Sequence, residues 1–186
     1  MQMIQRELYE SLRKESIASR ERIMKMVRPV DPAKLNEHPE PNGWSVGQVL
    51  EHLCKANEEY EGPVRQLLSH VRPDAGAATR EWKSSMIGGF IAGALSNPKP
   101  LKRGPRSFQP GPTPRNGIVE AFHAGEMRFE QVLDQGLAYD WRAVRLGSPA
   151  LPSWILKMNL GDAFRIHTVH VTRHSRQIDR LVGKLR

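Results

Sequence analysis

Four long segments of the chain carry apolar residues at helical spacing, and proline-rich stretches separate them. In the first segment Ile4, Leu8 and Leu12 lie one turn apart, so we predict a helix over residues 4–27. Pro29 ends this helix, because the residue before a proline is pushed out of the helical region. Four such segments in 186 residues predict an all-α fold, a four-helix bundle with a long crossover connection, in a single domain over residues 1–186.

A capping box marks the start of the second predicted helix. Ser45 and Gln48 have the spacing at which each side chain bonds the free backbone N–H of the other. Apolar residues follow at helical spacing until Pro73 closes the segment. Gly62 and Pro63 fall inside this pattern, and a proline within a helix removes a hydrogen bond. We therefore expect a kink or a break at that point.

Capping residues also mark the third and fourth helices. Asn116 is the predicted N-cap of the third helix, which Gly136 ends. The fourth helix is predicted to start near Asn159, with Asp162 three residues later in the position of a capping-box partner. It runs nearly to the end of the sequence. No internal repeat and no linker to a second domain interrupts this pattern.

The connection between the second and third helices is long and irregular. An apolar stretch over residues 86–95 predicts either a buried helical turn or a lid over the site. The proline-rich, basic stretch over residues 97–114 should be extended and form the crossover. Two functions remain open for this crossover. It is either a passive strap or a gate whose basic residues attract the carboxylates of a substrate, namely Lys99, Lys102, Arg103 and Arg106.

The composition limits the cellular compartment and the binding partners that we expect for this protein. Cys54 is the single cysteine, which excludes an intrachain disulfide and a cysteine zinc cage, so we expect a reducing compartment, the cytoplasm. Residues 1–27 lack the apolar region of a secretory signal, and the weakly polar run at 86–95 is too short to span a bilayer. The net charge is +8, but the basic residues are scattered, so neither a membrane nor a nucleic acid is an expected partner.

Four histidines lie where core residues are expected. His167, His170 and His174 follow one stripe of the fourth helix, and His52 occupies a similar position on the second. Buried imidazoles need hydrogen-bond partners or a metal ion. A pair of histidines four residues apart also occurs by chance on exposed helix faces, so that pair alone does not decide for a metal. The position of His52 favours a divalent ion shared between the two helices.

Two segments together resemble a known family. The segment from Trp44 to Leu53 resembles the W-[ST]-x4-hydrophobic-x-H-hydrophobic signature of the DinB/YfiT-like superfamily. The segment from His170 to Ile178 resembles its H-x3-H-x2-Q-[IL] signature, and Asn97-Pro-Lys-Pro with Phe108-Gln-Pro resembles its proline-rich crossover. The resemblance covers essentially the whole chain and implies a four-helix bundle. It also implies a zinc or nickel ion held by three histidines, which here are His52, His170 and His174.

Residues near the implied ligands have less specific interpretations. His167 lies on the same stripe and could support a ligand or compete as one. Gln177 lies about one turn beyond His174 and could orient it or stabilise the helix. Trp44 is expected to pack at the start of the second helix, and Cys54 to fill the core.

The resemblance also implies a range of functions. Members of the superfamily include transferases and isomerases that use glutathione, mycothiol or bacillithiol. We therefore expect a metal-dependent enzyme acting on a small molecule, with a low-molecular-weight thiol as cosubstrate. The alternatives are a metal-dependent hydrolase and a non-catalytic metal-binding stress-response protein. The resemblance also implies a dimer, so we expect a homodimer. The sequence alone identifies no catalytic residue.

Overall fold

The computed structural model describes residues 1–41, 43–97, 106–147 and 157–185. In these residues the chain is mainly helical, which confirms the predicted all-α class. The helices are α1 (Gln5–Val27), α2 (Val46–Ser69), α3 (Met86–Ser96), α4 (Ile118–Gly136) and α5 (Leu160–Lys184).

Two small antiparallel ribbons accompany the helices. The first pairs β1 with β2 so that Met3 lies opposite Trp82, and the second pairs β3 with β4 so that Leu146 lies opposite Met158. Their strands are β1 (Gln2–Ile4), β2 (Glu81–Lys83), β3 (Arg145–Gly147) and β4 (Lys157–Asn159). Each ribbon ends at the start of a long helix, because β1 leads into α1 and β4 leads into α5.

The four long helices pack against one another and bury the core between them. α1 contacts α4 and α5, and α2 contacts the same two helices. Apolar side chains from α1, α2, α4 and α5 form the largest core cluster, which includes Ile23, Leu50, Phe122 and Ile178. Cys54 lies in this cluster, as predicted, and burial raises the pKa of its thiol to about 12.

The predicted start of α2 is confirmed, and of the predicted kink or break at Pro63 the break is wrong. The Ser45 hydroxyl accepts from the Gln48 N–H, and the Gln48 side chain accepts from the Ser45 N–H, each at 3.1 Å. The helix then continues through Pro63. Pro63 and Glu59 are both exposed, so water can satisfy the Glu59 carbonyl that loses its helical partner. Burial of the next residue, Val64, favours continuation of the helix.

The start of α4 differs by one residue from the prediction. Gly117, and not Asn116, is the N-cap, and its φ of 64° lies in the left-handed region that glycine adopts without strain. The start of α5 is as predicted, because the Asn159 side chain accepts from the Asp162 N–H at 2.9 Å. Asp162 does not return this bond. Its carboxylate accepts instead from Ser84 and Ser85 at the start of α3.

The apolar stretch after β2 forms a full helix that packs on α5. Gly88 and Ala92 are buried, whereas Met86 is 94% exposed and Phe90 is 73% exposed. The interpretation of this stretch as a single buried turn is therefore wrong, and Met86 and Phe90 do not cover the metal site. Ile87 and Ile91, the other two residues expected to cover it as a lid, pack against the core cluster that contains Phe108. Gly88 faces α5 so closely that a Cβ atom would lie 2.1 Å from Cγ of Asp162.

The middle of the crossover lies outside the described residues. Lys99, Lys102 and Arg103 belong to that part of the chain, whereas Arg106 lies in a short 3-10 turn, Arg106–Phe108. Within the described ranges, no helix has the length and apolarity needed to cross a membrane.

Candidate metal centre

Three imidazoles from two helices meet near the start of α2. His52 projects from α2, and His170 and His174 project from α5, one turn apart. One ring nitrogen from each residue can be chosen so that all three lie within 4.8 Å of one another. The Nε2 atoms of His52 and His170 are 2.9 Å apart. We call these residues the histidine trio.

Hydrogen bonds at the Nδ1 atoms orient two of the three rings. The Nδ1 atom of His52 lies 2.8 Å from the carbonyl oxygen of Phe108, and Nδ1 of His174 lies 2.8 Å from Oε1 of Gln177. Both oxygens only accept, so Nδ1 carries the proton in each ring and Nε2 keeps its lone pair. Such support fixes the tautomer of a metal-binding histidine and raises its basicity.

The environment also keeps the trio uncharged. Burial lowers the pKa of His52, although the bond to the Phe108 carbonyl raises it in part. Burial, followed by the neighbouring His52, lowers the pKa of His174 to about 3. The pKa of His170 lies well below its ordinary value because of burial and the nearby His174. Neutral imidazoles with lone pairs are the form that binds a metal ion.

This donor set fits a divalent metal ion. Three neutral imidazole nitrogens suit zinc, nickel or copper and leave at least one position open on a tetrahedral ion. His170 is partly buried, whereas His52 and His174 are buried. Aromatic rings border the site, with the Trp44 ring centroid 5.0 Å and the Phe108 centroid 6.2 Å from that of His52. Trp44 thus packs at the start of α2, as expected, and also contacts a trio residue.

A family comparison accords with this geometry. The family model of the DinB superfamily matches residues 17–178. The chain belongs to the DinB superfamily. The match includes all three trio residues of this DinB-like protein. A search of curated proteins and a search of solved structures each found no significant match.

The DinB signatures contain the three histidines that the structure brings together and Gln177 beside them, but they do not indicate two further contacts. Phe108 acts through its backbone carbonyl, which has no side-chain signature, and it is 56 residues from His52 along the chain. His167 lies on the expected face of α5, yet its Nε2 atom lies 3.6 Å from Glu126 on α4. The sequence pattern contained no signal for Glu126.

One face of α2 binds the backbone of the crossover beside the trio. Gln48 donates to the Gly111 carbonyl at 3.0 Å, and Lys55 donates to the Gln109 carbonyl at 2.8 Å. His52 lies between them on the same face and contacts Phe108. At the other end of the crossover, Arg173 of α5 donates to the carbonyls of Leu95 and Asn97.

Proposed function

We propose that this DinB superfamily protein binds one divalent metal ion, zinc or nickel, through His52, His170 and His174. The supporting observation is that three neutral ring nitrogens lie within 4.8 Å of one another. In two of these rings, His52 and His174, a hydrogen bond at Nδ1 fixes the orientation. Three imidazole ligands with an open position are typical of catalytic rather than structural zinc sites. A metal-dependent enzyme is therefore the function that the geometry supports best.

The proposed reaction class is transfer to or from a low-molecular-weight thiol. A bound divalent ion lowers the pKa of a coordinated thiol or water and so supplies a nucleophile at neutral pH. The trio would hold the ion. Phe108 and Gln177 would keep the Nε2 atoms of His52 and His174 directed at it, and Trp44 would border the site. A small-molecule substrate would approach on the partly exposed side of His170.

The contacts of the crossover support a strap more than a gate. Its backbone from Phe108 to Gly111 accepts hydrogen bonds from three side chains of α2. A segment held by its main chain in this way moves only if all three bonds break together. We therefore propose that this part of the crossover keeps the trio in place.

The first experiment is metal analysis of the purified protein. We expect the trio to hold about one zinc or nickel ion per chain at neutral pH, and His170→Ala should lose most of that ion. His70 is exposed and distant in sequence from the signatures, so His70→Ala is the matched control and should retain the ion. Full metal content in His52→Ala, His170→Ala and His174→Ala would contradict the site.

A second experiment tests the reaction class. The metal-loaded protein is screened with glutathione, mycothiol and bacillithiol against electrophilic small molecules, and separately with ester and amide substrates. Thiol-dependent turnover that is lost in His170→Ala supports the transferase. Hydrolysis without a thiol would indicate the metal-dependent hydrolase, and no turnover with intact metal would indicate a non-catalytic metal-binding protein.

We also propose that the protein is a homodimer, as the family resemblance implies. The exposed apolar side chains of Met86 and Phe90 on α3 are compatible with a covered surface. Light scattering over a wide concentration range tests this, and a constant monomer mass would contradict it.

A further inference from the structure

A second group of polar side chains lies inside the helical core, about one turn further along it than the trio. Asn57 of α2, Glu126 of α4 and His167 of α5 meet there and are 2%, 1% and 4% exposed. His167 precedes His170 by three residues, and Asn57 follows His52 by five. At about 1.5 Å of rise per residue the two sites are thus about 5–8 Å apart along the helices. We call these three residues the inner polar cluster.

Each residue of the inner polar cluster has an atom without a hydrogen-bond partner. Among the described residues, Oδ1 of Asn57, Oε2 of Glu126 and Nε2 of His167 are the buried side-chain atoms left unsatisfied. Leaving a buried polar group unpaired destabilises the fold, so three in one place call for a ligand. The orphaned atoms comprise two oxygens and one ring nitrogen, which are donor types that bind divalent ions.

The spacing of these atoms distinguishes an ion from a water molecule. Oε1 of Glu126 accepts a long hydrogen bond from Nδ2 of Asn57 at 3.4 Å and lies 3.6 Å from Nε2 of His167. The second distance is longer than a direct hydrogen bond, about 2.7–3.2 Å, and shorter than the separation of about 4.5 Å between two groups that share a bridging water. Two ligands about 2.1 Å from a tetrahedral zinc ion are about 3.4 Å apart. The Glu126–His167 pair thus has the spacing of two ligands of one ion, and the unsatisfied Oδ1 atom of Asn57 is the candidate third donor.

A neighbouring carboxylate on α4, that of Glu130, has the basic partner that Glu126 lacks. Glu130 is also buried, one turn from Glu126, and its Oε1 atom accepts from Arg20 at 2.9 Å. Within the described part of the chain, Glu126 forms no ion pair with a lysine or arginine. Burial, followed by the neighbouring Glu130 carboxylate, raises its pKa to about 8, and the charge of Arg20 lowers it only in part.

We propose that Asn57, Glu126 and His167 form a second divalent-cation site, separate from the trio and selective for a small ion such as zinc. One carboxylate, one imidazole and one amide oxygen from three facing helices provide the donors. The ion supplies the positive charge that Glu126 lacks and satisfies the orphaned atoms. This site does not depend on the trio, so either can exist without the other.

The test counts zinc ions in a chain whose trio has been disabled. Metal-free wild type and the double variant His52→Ala/His170→Ala are dialysed against buffered zinc, and bound metal is measured by mass spectrometry. We expect about two ions per chain in the wild type and about one in the double variant. Adding Glu126→Gln or His167→Ala to the double variant should remove that ion, and circular dichroism checks that each variant folds.

Matched variants keep the test decisive. Glu130→Gln removes the other buried α4 carboxylate and should retain the ion, whereas Asn57→Asp adds a charged donor and should tighten zinc binding at least tenfold. Cobalt bound to the double variant should show the intense visible absorption of a tetrahedral site. The inner site is overturned if the double variant binds no zinc. It is also overturned if zinc binding is unchanged by Glu126→Gln, His167→Ala and Asn57→Asp. Equal zinc content in the wild type and the double variant would contradict the trio instead.

Discussion

The carboxylate of Asp162 accepts two hydrogen bonds from Ser85, one from its backbone N–H at 2.8 Å and one from its hydroxyl at 2.6 Å. Ser85 is also the N-cap of α3, and its hydroxyl accepts from the Gly88 N–H at 3.1 Å. Asp162 lies in the first turn of α5 and is fully buried. This pair therefore joins the starts of two helices, and the negative charge lies where the N-terminal dipole of α3 favours it.

Loss of the Asp162 carboxylate should detach α3 from α5. Asp162→Ala leaves Ser84 and Ser85 without their acceptor, and we expect a loss of about 2–4 kcal/mol in the free energy of unfolding. Amide hydrogen exchange should increase in α3 more than in α2. Asp162→Asn keeps one acceptor and should cost less. Equal stability of Asp162→Ala and the wild type in urea unfolding would contradict this role.

Gly88 and Gly93 provide a matched pair on α3. A Cβ atom at position 88 would lie 2.1 Å from Asp162, whereas one at position 93 meets nothing within 4 Å. We expect Gly88→Ala to destabilise the protein by about 1–3 kcal/mol, because the two helices must separate. Gly93→Ala should stabilise it by up to about 1 kcal/mol through helix propensity. Thermal unfolding of both variants measures the difference, and similar effects at the two positions would refute the close contact.

Gln177 should affect the affinity for metal without being a ligand. Its Oε1 atom holds Nδ1 of His174 at 2.8 Å, so Gln177→Ala frees the ring to rotate. We expect zinc affinity to fall about 10- to 100-fold while the stoichiometry at saturating zinc is unchanged. Competition with a chelating dye measures the affinity. Arg176 is exposed on the same turn, and Arg176→Ala serves as the control that should leave affinity unchanged.

The basic residues of the crossover distinguish a strap from a gate. If the crossover is a strap, replacing its basic side chains with glutamine should leave both metal content and affinity for glutathione unchanged, as measured by calorimetry at two salt concentrations. Weaker and less salt-sensitive thiol binding with intact metal would indicate a gate. The four substitutions are Lys99→Gln, Lys102→Gln, Arg103→Gln and Arg106→Gln.

The parts of the fold that could be predicted from the sequence are those set by local chemistry. The caps at Ser45 and Asn159 follow from a side chain and a backbone group three residues apart, so the sequence suffices. At Asn116 and Gly117 two adjacent residues can both cap a helix, and periodicity does not decide between them. The backbone conformation does, since Gly117 adopts a positive φ.

Only part of the candidate site could likewise be predicted from the sequence. The spacing of His170 and His174 indicates a shared face, and the family signature adds His52. The opposing Glu126 could not be predicted, because helical spacing gives the face of a residue but not which side chain of another helix meets it. The bond from Ser85 to Asp162 is likewise a tertiary contact between residues 77 positions apart.

The three bonds from α2 to the crossover restrict how this connection can change its length. Most surface loops accept an inserted residue at little cost. Here Gln48, His52 and Lys55 have fixed positions on one face of α2, and each bonds a particular carbonyl between Phe108 and Gly111. One residue inserted after Phe108 would shift the later carbonyls away from Gln48 and Lys55. Insertions should therefore be tolerated before this short segment but not within it.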